Sequence, residues 1–410
     1  MKLQIQPPSI FLALILFIAE STTGVVAQEA RARDLGVSFD GQPGTLNAIT
    51  DVSGVEVGHV TLIEGDGLLQ VGIGPVRTGV TVVHPRGKSS TDPVFAGWFT
   101  LNASGEMTGT TWLEERGLVD GPIAITNTHS VGVVRDAAVA WMVEKRWPAI
   151  WHAPVVAETY DGGLNDINGF HVTRDHALDA MRNATGGSVA EGVVGGGTGM
   201  VCNGFKGGIG TSSRQFALLE EHYMVGVLVQ CNYNWGGDNL RLGGVDMSGL
   251  LPVGRHCFVD RSIERHLDWY PYCDEIESLA QSEPARDGSI IIVVATDAPL
   301  LPHQLQRLAK RPSLALGRLG AISGDGSGDI FIAFSTANTD QIDEDRLSDI
   351  HMYPNNRLSL VFEAAVQATE EAIVNAMVAA ETVVGASGLR VNELPEEQLR
   401  AIFSSDGTRR

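Results

Sequence analysis

The chain has 410 residues, 43% of them hydrophobic, enough apolar material for a large core and, by length alone, for two or three domains. Its 49 acidic side chains outnumber 29 basic ones and leave a formal charge of −20 at neutral pH. A surface of that sign repels phosphate backbones and anionic lipid, which argues against nucleic acid or a membrane surface as partner.

The first residues read as a targeting segment. Lys2 supplies a positive start, residues 10–19 a short apolar stretch, and Val25-Val26-Ala27 a small-residue cleavage site, the layout of a secretory signal peptide over 1–27. The stretch is short for a bilayer span; an uncleaved N-terminal anchor is the alternative. The mature protein is expected to begin near Gln28 and to be periplasmic or secreted, with no membrane contact after signal removal.

Residues 31–61 read as turns and short strands. Residues 76–84 alternate and stop at Pro85-Arg86-Gly87, which predicts a strand and a turn. Residues 95–99 precede a Gly- and Thr-rich loop over 105–109. A buried strand is predicted over 122–126, with Asn127-Thr128-His129-Ser130 capping a helix over 131–142. Another inner strand, 154–157, runs into Glu158-Thr159-Tyr160-Asp161-Gly162. A helix at 175–182 leads to the densest glycine region, 192–210, and a strand over 224–233 ends on a polar tip. Residues 255–287 lose both periodicity and glycine and read as a linker. Asp287-Gly288-Ser289 then opens directly onto a β-branched run, Ile290 to Ala295, the mark of a fully buried strand at the centre of a sheet. A short helix through Leu305, Leu308 and Ala309 follows, then a buried strand at 330–334. A long helix over 358–383 carries Leu358, Phe362, Ala365, Val366, Ile373 and Met377 at helical spacing. This alternation predicts helices packed on a β core.

Four cysteines are present. Cys257 and Cys273 flank the polar segment and could staple it in an oxidising compartment. Cys202 and Cys231 are expected to be small core residues. No CxxC or HExxH occurs, and the loose set His256, Cys257, His266 and Cys273 lacks zinc spacing, so no metal site is expected.

The glycine region only approximates a nucleotide loop. Gly195-Gly196-Gly197-Thr198-Gly199 is a poor dinucleotide fingerprint, and in the stretch from Gly199 to Lys206 Phe205 intrudes before the lysine. No GxSxG occurs; Ser327, in Asp325-Gly326-Ser327-Gly328-Asp329, misses by one residue, and neither His84 nor His129 stands out as a base. Ser289 offers another chemistry. Were the Gly288–Ser289 bond cut, one residue would carry both a hydroxyl nucleophile and an α-amine titrating near ~7.7–8.0, able to accept the hydroxyl proton. Glycine at 288 would let that hydroxyl reach the preceding carbonyl. On the residues alone, an ordinary loop-to-strand junction is the simpler reading.

A set of motifs tips the balance. They are residues 47–52 (Asn-Ala-Ile-Thr-Asp-Val), Thr126-Asn127-Thr128, Glu158 to Gly162, Gly204 to Thr211, Val229 to Tyr233, Asp287-Gly288-Ser289-Ile290 and Gly326 to Ile330. Through them the chain resembles the DmpA-type family of L-aminopeptidase/D-esterases and β-peptidyl aminopeptidases, self-processing enzymes with an N-terminal serine. The likeness runs over about 43–380. It implies an α/β fold, a four-layer α-β-β-α sandwich akin to that of ornithine acetyltransferases. It further implies an α chain (28–288) and a β chain (289–410) of one catalytic domain, with 255–287 a linker-like stretch before the cut. Matched residue by residue, Ser289 is the nucleophile and its amine the base, and Ser327 with Asp329 orients them. Asn232 is the oxyanion donor, Tyr160 its partner, and Glu158 the acid near the substrate's ammonium. Asp329 is shorter than the glutamate of some relatives.

The expected function is therefore an exported aminopeptidase acting on small peptides, amides or esters with a free amino terminus, through an acyl-enzyme and without metal or organic cofactor. The resemblance also implies a homo-oligomer of αβ units. Two alternatives stay open: an acyltransferase on the same fold, for which relatives carry threonine at the junction, and a non-enzymatic periplasmic binding protein with a Gly-rich cleft. Preference among L-, D- and β-amino acids is not legible, because pocket walls come from separated loops.

Overall fold

Two β-sheets lie face to face, each covered outside by helices. The computed structural model describes residues 30–237, 239–276, 287–340, 342 and 347–406; the expected signal peptide lies outside the described residues. The four-stranded sheet runs Glu56–Glu64, Val76–His84, Ile123–Asn127, Val155–Thr159 in spatial order. The six-stranded sheet runs Leu118–Val119, Val94–Ala103, Gly328–Ser335, Ser289–Thr296, Glu221–Asn232, Gly208–Leu218.

The β-branched run after Ser289 explains this layering. All eight residues of Ser289–Thr296 are buried, so both faces of the strand need cover. Ile291, Val293 and Ala295 meet Ile123, Ile125, Val155 and Ala157 of the other sheet. Ile290, Ile292 and Val294 turn the opposite way and share a core with the helices Pro302–Ala309 and Leu358–Val378. Each fully buried Ile or Val contributes about 1.5–3 kcal/mol relative to exposure. On the far side, Val131–Glu144 and Arg174–Asn183 pack Val134, Ala138 and Met181 onto Val80, Val82, Ala124 and Val156. The order helix, sheet, sheet, helix is the expected four-layer sandwich.

The strand at 76–84 is as predicted, but its alternation does not mark a wet face. Every residue in it is buried, and Thr81 Oγ1 accepts the Gly196 N–H at 3.1 Å. Capping by residues 127–130 is corrected: the Asn127 amide donates to Thr78 Oγ1, the Thr128 hydroxyl donates to Glu158, and no side chain caps the Val131–Glu144 helix. The long helix stops at Val378, short of 383, because Val383–Val384 pairs with Leu389–Val391 as strand. The helices Thr110–Arg116, Pro312–Arg318 and Glu396–Asp406 add to those the sequence pattern predicts.

Two further corrections concern the cysteines and the linker. Cys202 and Cys231 are buried, as expected, but joined as a disulfide, since Val201–Cys202 lies beside the end of the Glu221–Asn232 strand. Residues 255–276 are folded rather than linker-like. Cys257–Phe258 pairs with Leu389–Val391, Cys257 is bonded to Cys273, and Phe258 and Leu267 form a small core with Leu164, Val201, Leu389 and Val391. Residues 277–286 lie outside the described residues.

The N-terminal segment is anchored by charge. Glu371, fully buried in Leu358–Val378, accepts from Arg214 Nη2 at 2.6 Å, from Arg33 Nε and Nη2 at 2.8 and 2.7 Å, and from Asn47 Nδ2 at 2.6 Å. Burial pushes this carboxyl up, but the two guanidinium groups outweigh it and hold the pKa below the ordinary value. Its stabilisation is thus present above the ordinary carboxylate pKa and is lost as pH falls through the depressed one. Glu371→Gln leaves Arg214 buried without its counter-charge and is expected to lower unfolding free energy by about 3–5 kcal/mol, read by urea titration.

Candidate active site

The site assembles where three strands of the six-stranded sheet end together. Asn232 lies directly opposite Ser289 in the antiparallel register, and Ser289 pairs with Gly328 on its parallel side. Side chains alternate along a strand, so Ser289 shares the face of Ile291, and Asn232 that of Leu228. Both point toward the four-stranded sheet. Directly opposed residues of an antiparallel pair place their Cβ atoms about 4.5–5.5 Å apart, so hydroxyl and carboxamide are neighbours by construction.

The carboxamide is fixed. Its Oδ1 accepts the Val201 N–H at 2.8 Å, which leaves Nδ2 to donate, and Nδ2 gives one hydrogen to the Tyr160 carbonyl at 2.9 Å. The second hydrogen is left for the site. Tyr160 therefore meets Asn232 through its backbone; its ring lies 6.1 Å from that of Trp235, and the residue is 40% exposed. Burial, with help from Asp161, raises the phenol's pKa, so it stays protonated.

Ser327 and Asp329 flank Gly328, and Ser327 Oγ donates to Asp329 Oδ1 at 2.9 Å. Asp329 shares the face of Phe331 and Ala333, toward the helices. It is thus on the opposite side of the sheet from the Ser289 hydroxyl, one strand over. Burial pushes its carboxyl up, the Ser323 and Ser327 hydroxyls pull it back, and Oδ2 has no hydrogen-bond partner.

Gly288 is held with no room for a side chain. Its φ is +142°, and a Cβ there would lie 2.3 Å from the Asn232 carbonyl oxygen and 2.7 Å from Tyr233 Cα. Its own carbonyl accepts the Gly328 N–H at 2.9 Å. Both dihedral and space require glycine.

Glu158 comes from the other sheet. Its Oε1 accepts the Glu106 N–H at 2.9 Å, its Oε2 the Thr128 hydroxyl. Gly105, beside Oε1, also abuts Gly328, which brings this carboxylate near the junction. Burial raises its pKa, against the pull of those two donors.

Sequence reasoning missed the walls. Trp235 donates its indole N–H to the Asn232 carbonyl at 2.8 Å, and together with Tyr160, Val201, Tyr270, Leu389 and Val391 it lines a pocket beside the carboxamide. The aromatic cluster at 269–272, inside an otherwise polar stretch, was the signal available. No group of side chains able to hold a metal ion occurs among the described residues.

The model of peptidase family S58 matches residues 47–391, from the first motif to the last strand of the pocket wall. The chain belongs to peptidase family S58. It is 54% identical over 400 residues to the β-peptidyl aminopeptidase BapA of Sphingosinicella microcystinivorans, covering 97% of this chain and 96% of that one. Among solved structures, it superposes on the L-aminopeptidase D-Ala-esterase/amidase of Ochrobactrum anthropi with a TM-score of 0.79 at 43% identity. A Burkholderia β-aminopeptidase gives 0.77 at 44%; each comparison covers 92% of this chain and 99% of the other. The Ochrobactrum protein is described as a prototype for the serine aminopeptidases and a variant of the Ntn-hydrolase fold. The two facing sheets between helices are the arrangement shared with these structures.

From residues 255–276 Tyr270 lines this pocket, and the Cys257–Cys273 bond closes their loop. Replacing both cysteines by serine is expected to remove up to about 3 kcal/mol from that segment. Faster tryptic cleavage at Arg261 and Arg265, with a raised KM for peptide substrates, is the outcome to look for.

Proposed function

We propose that the protein is exported, cuts its own Gly288–Ser289 bond, and then uses Ser289 to release N-terminal residues from small peptides, amides and esters. That it is a serine aminopeptidase of the N-terminal-nucleophile type follows from its family and from the solved structures it matches. The observation that carries the residue assignments is the register pairing of Ser289 with Asn232, next to a Gly288 that admits no side chain.

Self-cutting begins with the Ser289 hydroxyl adding to the Gly288 carbonyl carbon. The Gly328 N–H on that carbonyl oxygen favours the charge that develops there. Collapse breaks the C–N bond, leaving an ester on Ser289 Oγ and a free α-amine; water then releases the Gly288 carboxylate. In turnover the neutral amine takes the hydroxyl proton as Oγ attacks the substrate carbonyl, and Asn232 Nδ2 donates to the oxyanion. The proton passes to the departing amine, and the same amine activates the water that cleaves the acyl-enzyme.

The placement of Asp329 supports a role toward the amine rather than the hydroxyl. A buried carboxylate with one unpartnered oxygen, on the strand next to Ser289, suits a nitrogen that becomes a cation whenever the amine holds a proton. Glu158 would select the substrate's ammonium by a charge-assisted hydrogen bond. Residues 1–27 support export, as do two disulfides, which persist in oxidising compartments. Exposed Ile63, Leu68, Val71 and Ile73 support assembly of αβ units into an oligomer.

Ser289→Ala is expected to remain one polypeptide on a denaturing gel and to be inactive, and Gly288→Ala to cut itself far more slowly than the parent. Active parent protein lacking a chain that begins Ser-Ile-Ile-Ile would falsify the mechanism. The acid side of the kcat/KM profile should show two losses. One falls as the Ser289 amine is protonated below ~7.7–8.0; the other falls as Glu158 is neutralised, at a pH above the ordinary carboxylate value. Glu158→Gln should abolish the second limb and raise KM by about 10- to 100-fold.

A further inference from the structure

Lys206 is fully buried and has no carboxylate among its hydrogen-bond partners. Its ammonium donates instead to three carbonyl oxygens, of Gly197 at 3.3 Å, Met200 at 2.8 Å and Gly207 at 2.7 Å. Burial draws its pKa down to about 7, so a cation here is costly and the carbonyl cage offsets that cost. The aminopeptidase mechanism above makes no use of this group.

One of the three acceptors stands out. The carbonyl of Met200 and the N–H of Val201 belong to the same peptide group, and that N–H is the one that holds Asn232 Oδ1 at 2.8 Å. We infer that Lys206 is a positioning residue for the oxyanion-stabilising carboxamide of Asn232, acting through the single peptide group between Met200 and Val201. The inference rests on the reading of Asn232 as oxyanion donor.

Polarisation runs in one direction along three linked hydrogen bonds, the last of them to the oxyanion. A lysine N–H on a peptide oxygen draws electron density from the peptide nitrogen and makes its N–H a stronger donor. A stronger bond into Asn232 Oδ1 does the same to the side-chain amide, so Nδ2–H becomes the better donor to an oxyanion. Position is set along with polarity. The Cys202–Cys231 bond joins the residue after Val201 to the residue before Asn232, and Asn203 N–H donates to the Tyr233 carbonyl at 2.9 Å. The peptide can therefore neither slide along the strand nor rotate without disturbing the cage around Lys206. The Lys206 backbone is itself pinned, its N–H donating to the Asn392 carbonyl at 2.7 Å.

A double-mutant cycle on processed two-chain protein tests this, with Lys206→Met, Asn232→Ala and the pair, assayed on an aminoacyl p-nitroanilide. Asn232→Ala is expected to cost about 100- to 1,000-fold in kcat. Lys206→Met is expected to cost about tenfold, with KM within about twofold of the parent, and to cost almost nothing further once Asn232 is alanine. Lys206→Gln, an uncharged donor to Met200 O, should fall between parent and Lys206→Met. A Lys206→Met loss that persists undiminished in the Asn232→Ala background overturns the inference while leaving the Asn232 reading intact. An Asn232→Ala protein with parental kcat removes that reading, and this inference with it. Failure of both Lys206 variants to accumulate as soluble two-chain protein would mark a folding residue and likewise overturn the assignment.

Discussion

A single backbone register, Asn232 against Ser289, decides whether this molecule has a site at all. Slipping one strand by a residue would turn the carboxamide to the far face of the sheet, because side chains alternate with a period of two. The apolar residues behind the pair prevent the slip. Leu228, Ile291 and Val293 must face the second sheet while Val229, Ile290 and Ile292 face the helices, and no shifted pairing satisfies both. The hydrophobic core thus sets chemical geometry at the strand ends, with no flexible loop intervening between the scaffold and the two reacting groups.

Around that register the protein buries polar groups that by themselves disfavour folding. Asp329, Glu158 and Lys206 all lie out of water, and in each case burial is the largest influence on the group's protonation. Glu158 is compensated by two donors and Lys206 by three acceptors. Asp329 is compensated on one oxygen alone. Uneven satisfaction of this kind is expected where a group waits for a partner that the continuous chain does not supply.

Much of the layering was legible because the signals were strong and local. The run from Ile290 to Ala295 and the helix periodicity after Leu358 each state their burial in composition alone, and the strand at 76–84 states its type though not its full burial. Their association into two sheets was not local information. The family motifs supplied it, along with the candidate residues Glu158, Tyr160, Asn232, Ser289, Ser327 and Asp329. What stayed hidden came from long-range pairing. The segment 255–276 lacks periodicity because it is organised by a disulfide and by Leu389–Val391, more than a hundred residues away in sequence. Cys202 and Cys231 sit in apolar text whether bonded or free, so only the adjacency of their strands distinguishes the two states. Trp235 carried no sequence signal, and the aromatic cluster around Tyr270 did not say that the fold would set both residues beside Asn232.

The strand order carries a consequence for a molecule cut between Gly288 and Ser289. All four cysteines precede residue 289, so no covalent bridge would join the halves. Yet the fragment starting at Ser289 provides the two middle strands of the six, Ser289–Thr296 and Gly328–Ser335. The other fragment grips them from both edges, through Val94–Ala103 and Glu221–Asn232. Dissociation would have to unzip two hydrogen-bonded ladders and open two hydrophobic layers at once. Dilution alone offers no route to that, so the nicked protein should persist as one thermodynamic unit whose severed ends are free while its body is not.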